Sequence, residues 1–216
     1  MTNNKQIIDI PIQHFLDNVC KHDDIVNKYK QNFDRMSTSH PKYRYNWRVN
    51  FFDKHRYMNW ILYTFFEDCK NKKDNTLVQN DVFQKDFTVY DIGCYDSFLV
   101  SLLREAGIEA YGYDDNDWDE MFALLNTKNH VNTTHSDIDV CVVLNYAHNF
   151  TPDALFSFVE RKCKKMPEVL FFDFDKSVSH IHQHLYYETE VIQKYGFKVV
   201  NFSDYSEREL FIWQNQ

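Results

Sequence analysis

Glycine and proline are scarce, with four of each in 216 residues. Few special turns and few helix breaks are available, so most of the chain must be regular structure. No Cys-x-x-Cys pair occurs, and the five cysteines (Cys20, Cys69, Cys94, Cys141, Cys163) are odd in number and dispersed. That argues against a disulfide framework and a structural zinc site and fits a reduced, intracellular protein. No apolar run reaches transmembrane length, and the opening MTNNKQIIDI has no apolar stretch of signal-peptide length. The expectation is a soluble cytoplasmic protein, found in host cytoplasm or virion if the gene is viral. Positive charge is also short, and the formal net charge is −8. Broad binding along a nucleic-acid backbone is therefore disfavoured, leaving only local basic patches.

What is present is a large apolar complement. Hydrophobic residues reach 44%, enough for a sizeable core and too many for global disorder. Over residues 12–36 the apolar positions fall at helical spacing, and they do so again from Phe52 to Cys69. A polar, basic, aromatic connector separates the two, and the charged run at 70–75 reads as a surface loop. Residues 1–80 are read as an N-terminal helical extension or lid.

From residue 87 the pattern changes. FTVYDI is a buried strand, FLVSLLREA a helix stopped by Gly107, EAYGY a strand and WDEMFALLN a short helix. DVCVVLN, residues 139–145, is apolar and β-branched, as expected of a strand buried on both faces. Thr151-Pro152 supplies an N-cap and a first-turn proline for a helix through Lys165. EVLFFDFD is the next strand, and 178–195 is a helix stopped by Gly196. FKVVNF and RELFIW, joined by a short connection, should pair antiparallel. Alternating strands and helices imply a parallel sheet with right-handed crossovers.

In such a sheet, ligands sit at the carboxyl ends of strands where strand order reverses. The stretch VYDIGCYDSFLVSLLREAGIEAYGYDD, Val89 to Asp115, puts a tight turn at one such end and an acid at the next. VYDIGCYDSF, YGYDD, DIDVCVVLNYAHNF and YGFKVV together resemble the motifs of the class I S-adenosylmethionine-dependent methyltransferases. The resemblance covers about three fifths of the chain. It implies an α/β fold for residues 81–216: an open, mostly parallel, seven-stranded Rossmann-like sheet with an antiparallel last strand. The implied cofactor is S-adenosyl-L-methionine, held by Asp91, Gly93, Cys94, Ser97, Asp114, Asp115, Asp137 and Asn145. Asp114 would accept both ribose hydroxyls, and Asp137 would stand on the adenine side. Asp139 would be the family's structural acid. The sequence departs from the family at Tyr95 and Ser97, where glycines are usual, and in a third strand shortened to about HVNTT.

Methyl transfer from a sulfonium needs mainly proximity and alignment, with a base only where the acceptor loses a proton. His148, just after the fourth strand, is the candidate base; its competing role is that of a loop histidine beside Phe150. His180, His184 and Glu188 recur at helical spacing, as a solvated face, a substrate-side helix or, least favoured, a metal site; no metal is expected. Residues 42–57 mix lysines and arginines with aromatics, the composition of a lid, of an anchored surface segment or of a nucleic-acid contact. The leading expectation is a methyltransferase acting on a small-molecule or carbohydrate-like acceptor. Its competitors are a catalytically silent binding or assembly module on the same fold and an RNA-modifying methyltransferase. The glycine-poor, Asn/Lys/Tyr/Phe-rich composition points to an AT-rich or viral genome.

Overall fold

Successive strand residues face opposite sides of a sheet, and here that alternation builds two cores on one sheet. The computed structural model describes residues 7–10, 54–72, 81–116, 118–144, 146–175, 194–202 and 208–215. In chain order the elements are β1 (Ile7–Ile10), α1 (Lys54–Lys72), β2 (Thr88–Ile92), α2 (Phe98–Glu105), β3 (Glu109–Tyr113), α3 (Asp119–Leu124), β4 (Val140–Val143), α4 (Pro152–Cys163), β5 (Val169–Asp175), β6 (Lys198–Phe202) and β7 (Arg208–Gln214). The helix expected over 12–36, nearly all of that expected over 178–195, and the segment 42–53 lie outside the described residues.

The seven strands form one sheet in the order β1-β6-β7-β5-β4-β2-β3. All neighbours run parallel except β7, which is antiparallel to both β5 and β6. The open, mostly parallel sheet with an antiparallel last strand is therefore present, but its seven strands are not the seven expected. The third strand, sought around HVNTT, is reduced to a single bridge between Val131 and Gly112. The remaining place is taken by β1, from the segment read as extension, which pairs with β6 from Ile7↔Val199 to Ile10↔Phe202.

The shortened strand has a local cause. Asn132 takes a left-handed conformation (φ 56°), and the chain turns back along the outer side of β3, where His135 stacks on Tyr111. Two outward carbonyls of β3 are taken on the way. Asn132 N–H donates to Gly112 O at 2.9 Å, and the Arg104 guanidinium donates to Ala110 O at 3.1 Å.

One face of the sheet packs Val89, Val140, Val142, Val169 and Phe171 against α1 and α2. The other packs Tyr90, Ile92, Cys141, Val143, Leu170 and Phe172 against α4. In α1 the buried run Trp60 to Phe66 includes Phe65 and Phe66, whose rings meet Phe83 and Phe171. α4 begins as expected: Thr151 Oγ1 accepts from Ala154 N–H at 3.4 Å and Pro152 opens the helix. It ends at Cys163, two residues before the expected boundary, because Lys164 is left-handed (φ 63°).

Candidate active site

The chain leaves β2 for β3 on one side and later returns to β4 on the other, so the strand order reverses at β2. The crevice beyond its carboxyl end is where a ligand of such a sheet belongs. The turn there runs from Gly93 to Ser97. Gly93 (φ 76°), Tyr95 (φ 52°) and Ser97 (φ 64°) are all left-handed. A non-glycine residue in that region costs about 1–2 kcal/mol. Immediately after the turn, Phe98, Leu99 and Val100 are fully buried, and each buried side chain of this size contributes about 1.5–3 kcal/mol. The helix behind the turn can therefore hold two strained residues in place.

Backbone bonds fasten the turn to β3. Gly93 and Cys94 N–H both donate to Tyr113 O, at 2.7 and 3.0 Å. Tyr95 N–H donates to Oδ2 of Asp114 at 2.8 Å. Oδ1 of Asp114 accepts from the Asn116 backbone N–H at 2.8 Å and from the Asn116 carboxamide at 3.0 Å. The Tyr95 ring turns sideways onto Trp118, with centroids 4.3 Å apart.

Beneath the turn lies a set of buried acids. Asp91, Asp96 and Asp173 are 4%, 1% and 1% exposed, and Asp114 is 9% exposed. Burial, reinforced by the charges of Asp114, Asp96 and Asp173, pushes the Asp91 carboxyl up to about 8. Asp96 also accepts from the N–H of Phe98, the first residue of α2, at 3.2 Å.

On the β4 side, the Tyr146 ring lies across Gly93. Its hydroxyl donates to Asp115 at 3.1 Å, and the Tyr113 hydroxyl donates to the other oxygen of the same carboxylate. These bonds, led by that from Tyr113 and helped by the charge of Lys162, hold the Asp115 carboxyl below its ordinary range.

The residues singled out in the sequence thus separate. Asp91, Gly93, Asp114 and Asp115 come together at the crevice. Cys94 adjoins them but points inward against Gly112, where a Cβ would stand 2.7 Å from its Sγ. Burial, then the charges of Asp91, Asp114 and Asp96, raises its thiol well above the usual range. Ser97 also faces inward, with its hydroxyl 2.5 Å from that of Thr127 and its N–H donating to Cys94 O at 2.8 Å. Asp137 is exposed and precedes β4, at the amino end of the sheet. Asp139, at the same end, accepts from Thr88 N–H at 2.9 Å and joins β4 to β2, as a structural acid does. His148 lies in the turn Ala147–Asn149 after β4, but its side chain lies outside the described residues, as do Asn145, His180, His184 and Glu188.

Asn116, Trp118, Asn132 and Asp173 were not read as site residues. Asp173 alone carries a sequence signal, an acid inside the apolar run of EVLFFDFD. Asn132 stands just past the Val131 bridge, and its carboxamide oxygen accepts from Asp114 N–H at 3.0 Å.

No protein-family model and no curated protein matches the chain. Among solved structures, it is similar to a SAM-dependent methyltransferase from Archaeoglobus fulgidus, at 14% identity and TM-score 0.48, covering 75% of this chain and 95% of that one. It is similar to the methyltransferase domain of bacterial CtHen1, at 15% identity and TM-score 0.42, over 59% and 90% of the two chains. It is also similar to the mitomycin 7-O-methyltransferase MmcR, at 13% identity and TM-score 0.46, over 89% and 67%. The strand order of this chain, with the antiparallel β7 inserted between β5 and β6, is that of the open, mostly parallel sheet expected from the sequence.

Proposed function

We propose that this protein is an S-adenosylmethionine-dependent methyltransferase acting on a small-molecule or carbohydrate-like acceptor. The observation that carries the reading is the turn from Gly93 to Ser97. It keeps a left-handed backbone at residues 93, 95 and 97, although only the first is glycine, and it presents Tyr95 N–H to Asp114. Strain of this kind persists where the surroundings enforce it, and it concentrates at functional sites.

The residues fit the cofactor chemically. S-adenosylmethionine, when bound, supplies a methyl group already activated on a sulfonium, beside an ammonium. Asp91 is buried and feels the charges of Asp114, Asp96 and Asp173. A cationic ligand stabilises the ionised form of such a group. Asp114 would accept the ribose hydroxyls, and the anchored Tyr146 ring would hold the floor under Gly93. His148, just beyond β4, is the candidate to take a proton from the acceptor.

A second reading, a silent binding module on the same fold, is favoured by one observation. The Asp114 carboxylate already accepts three hydrogen bonds from the chain itself. An RNA acceptor would draw on residues 42–57.

Calorimetry with S-adenosylmethionine and S-adenosylhomocysteine separates these readings. The wild type is expected to bind both, and Asp114→Ala to lose about 3 kcal/mol or more of binding, since two charge-assisted hydrogen bonds disappear. Because Asp114 also holds Tyr95 and Asn116, the variant should lose about 1–3 kcal/mol of stability, so thermal melts accompany the titration. No heat from the wild type with either ligand would reject the enzyme reading in favour of the silent module.

A further inference from the structure

We infer that Asn116 is a specificity latch on Asp114, which a nucleoside must displace with the second hydroxyl of its cis-diol; this rests on the nucleoside-binding reading above. A carboxylate offers about four acceptor positions, two per oxygen. In Asp114 three are used: Oδ2 takes Tyr95 N–H, and Oδ1 takes both the backbone N–H and the carboxamide of Asn116. One position stays open on Oδ2 and none on Oδ1. A single hydroxyl can therefore be accepted with the latch in place. A diol delivering one hydroxyl to each oxygen cannot, because its second hydroxyl meets the Asn116 carboxamide.

The two Asn116 bonds differ in how they can be broken. The backbone N–H belongs to the bend after β3, whereas the carboxamide sits on an exposed residue and is released by side-chain rotation alone. Asp114 cannot turn away from the latch, because Tyr95 N–H holds its other oxygen and Asn132 Oδ1 holds its own N–H. The carboxylate is thus fixed and its competitor is mobile. Every diol ligand binds against the carboxamide, and a ligand with only one hydroxyl binds without that competition.

Asn116→Ala removes the carboxamide and keeps the backbone N–H, freeing one position on Oδ1. Titrating wild type and variant with S-adenosylhomocysteine and with its 2′-deoxy and 3′-deoxy counterparts tests the inference. The parent ligand should bind the variant roughly three- to tenfold more tightly, the range of one modest net hydrogen bond. At least one deoxy counterpart, the one lacking the hydroxyl that meets Oδ1, should change less than about twofold. An unchanged or weakened parent affinity overturns the latch while leaving the nucleoside reading standing. An equal gain for all three ligands also overturns it, since the carboxamide would then obstruct by bulk. Binding by the variant alone, with a silent wild type, also overturns it, because a competitor worth about three- to tenfold cannot abolish binding. Silence from both removes the nucleoside reading and the latch with it.

Discussion

The ring of Tyr146 lies so close to the backbone of Gly93 that a Cβ on residue 93 would stand 2.9 Å from its Cγ and 3.0 Å from its Cβ. The ring is not free to retreat, because its hydroxyl is bound to Asp115. Gly93→Ala therefore meets two costs, the left-handed backbone at about 1–2 kcal/mol and overpacking at about 1–3 kcal/mol. Urea unfolding should show a loss of about 2–5 kcal/mol. In a Tyr146→Ala background the ring's share of the overpacking should vanish, while the contact with the residue 146 Cβ and the backbone part remain, so the two substitutions should be non-additive. Simple additivity would mean that the ring does not confine residue 93.

Tyr95→Gly tests whether the bulky residue in the turn obstructs the crevice. Glycine relieves a left-handed strain of about 1 kcal/mol but loses the ring contact with Trp118, of about 0.5–1.5 kcal/mol. Stability should stay within about 1 kcal/mol of wild type. With the ring directed at Trp118, affinity for S-adenosylhomocysteine should also change little. Binding that appears only in the variant would show that the tyrosine blocks the site, and the enzyme reading would fall.

Asp91 should make stability decline toward alkaline pH. Its folded-state value of about 8 lies above the ordinary 3.8, so the fold favours the protonated form. That contribution is whole below the unfolded value, falls as pH rises through the interval, and is lost above about 8. Asp91→Asn has no such titration. Denaturant unfolding at pH 5 and pH 8.5 should therefore show the variant gaining on wild type as pH rises. A constant difference between them would place the ionised carboxylate in a solvated or paired environment instead.

Much of the fold was legible because its signals are local. Apolar β-branched runs such as VCVV mark buried strands, and the Thr151-Pro152 pair marks a helix start, without help from distant residues. β1 was not legible: Ile7–Ile10 becomes a strand only through its pairing with β6, almost two hundred residues away. The site shows the same division. Asp91, Gly93 and Asp114 follow from a strand, a turn and a strand end. Asn116, Tyr146 and Asn132 matter through bonds whose partners cannot be read from spacing. Asp137 shows the limit of spacing, because an acid near the fourth strand looks the same in sequence whether it stands before the sheet or beyond it. The single-bridge third strand decides which, and its brevity depends on one left-handed asparagine.

The short third strand also bears on how the protein behaves in company. A sheet that stops one strand early ordinarily leaves a bare row of backbone groups, onto which another extended chain can add and from which aggregates grow. Here the terminal strand is five residues long, and its outward carbonyls at Ala110 and Gly112 are already occupied by Arg104 and Asn132. A visiting strand would have to strip off both before gaining a bond. The margin of the sheet nearest the crevice is thereby closed to strand addition, and the protein can crowd against copies of itself there without zipping to them.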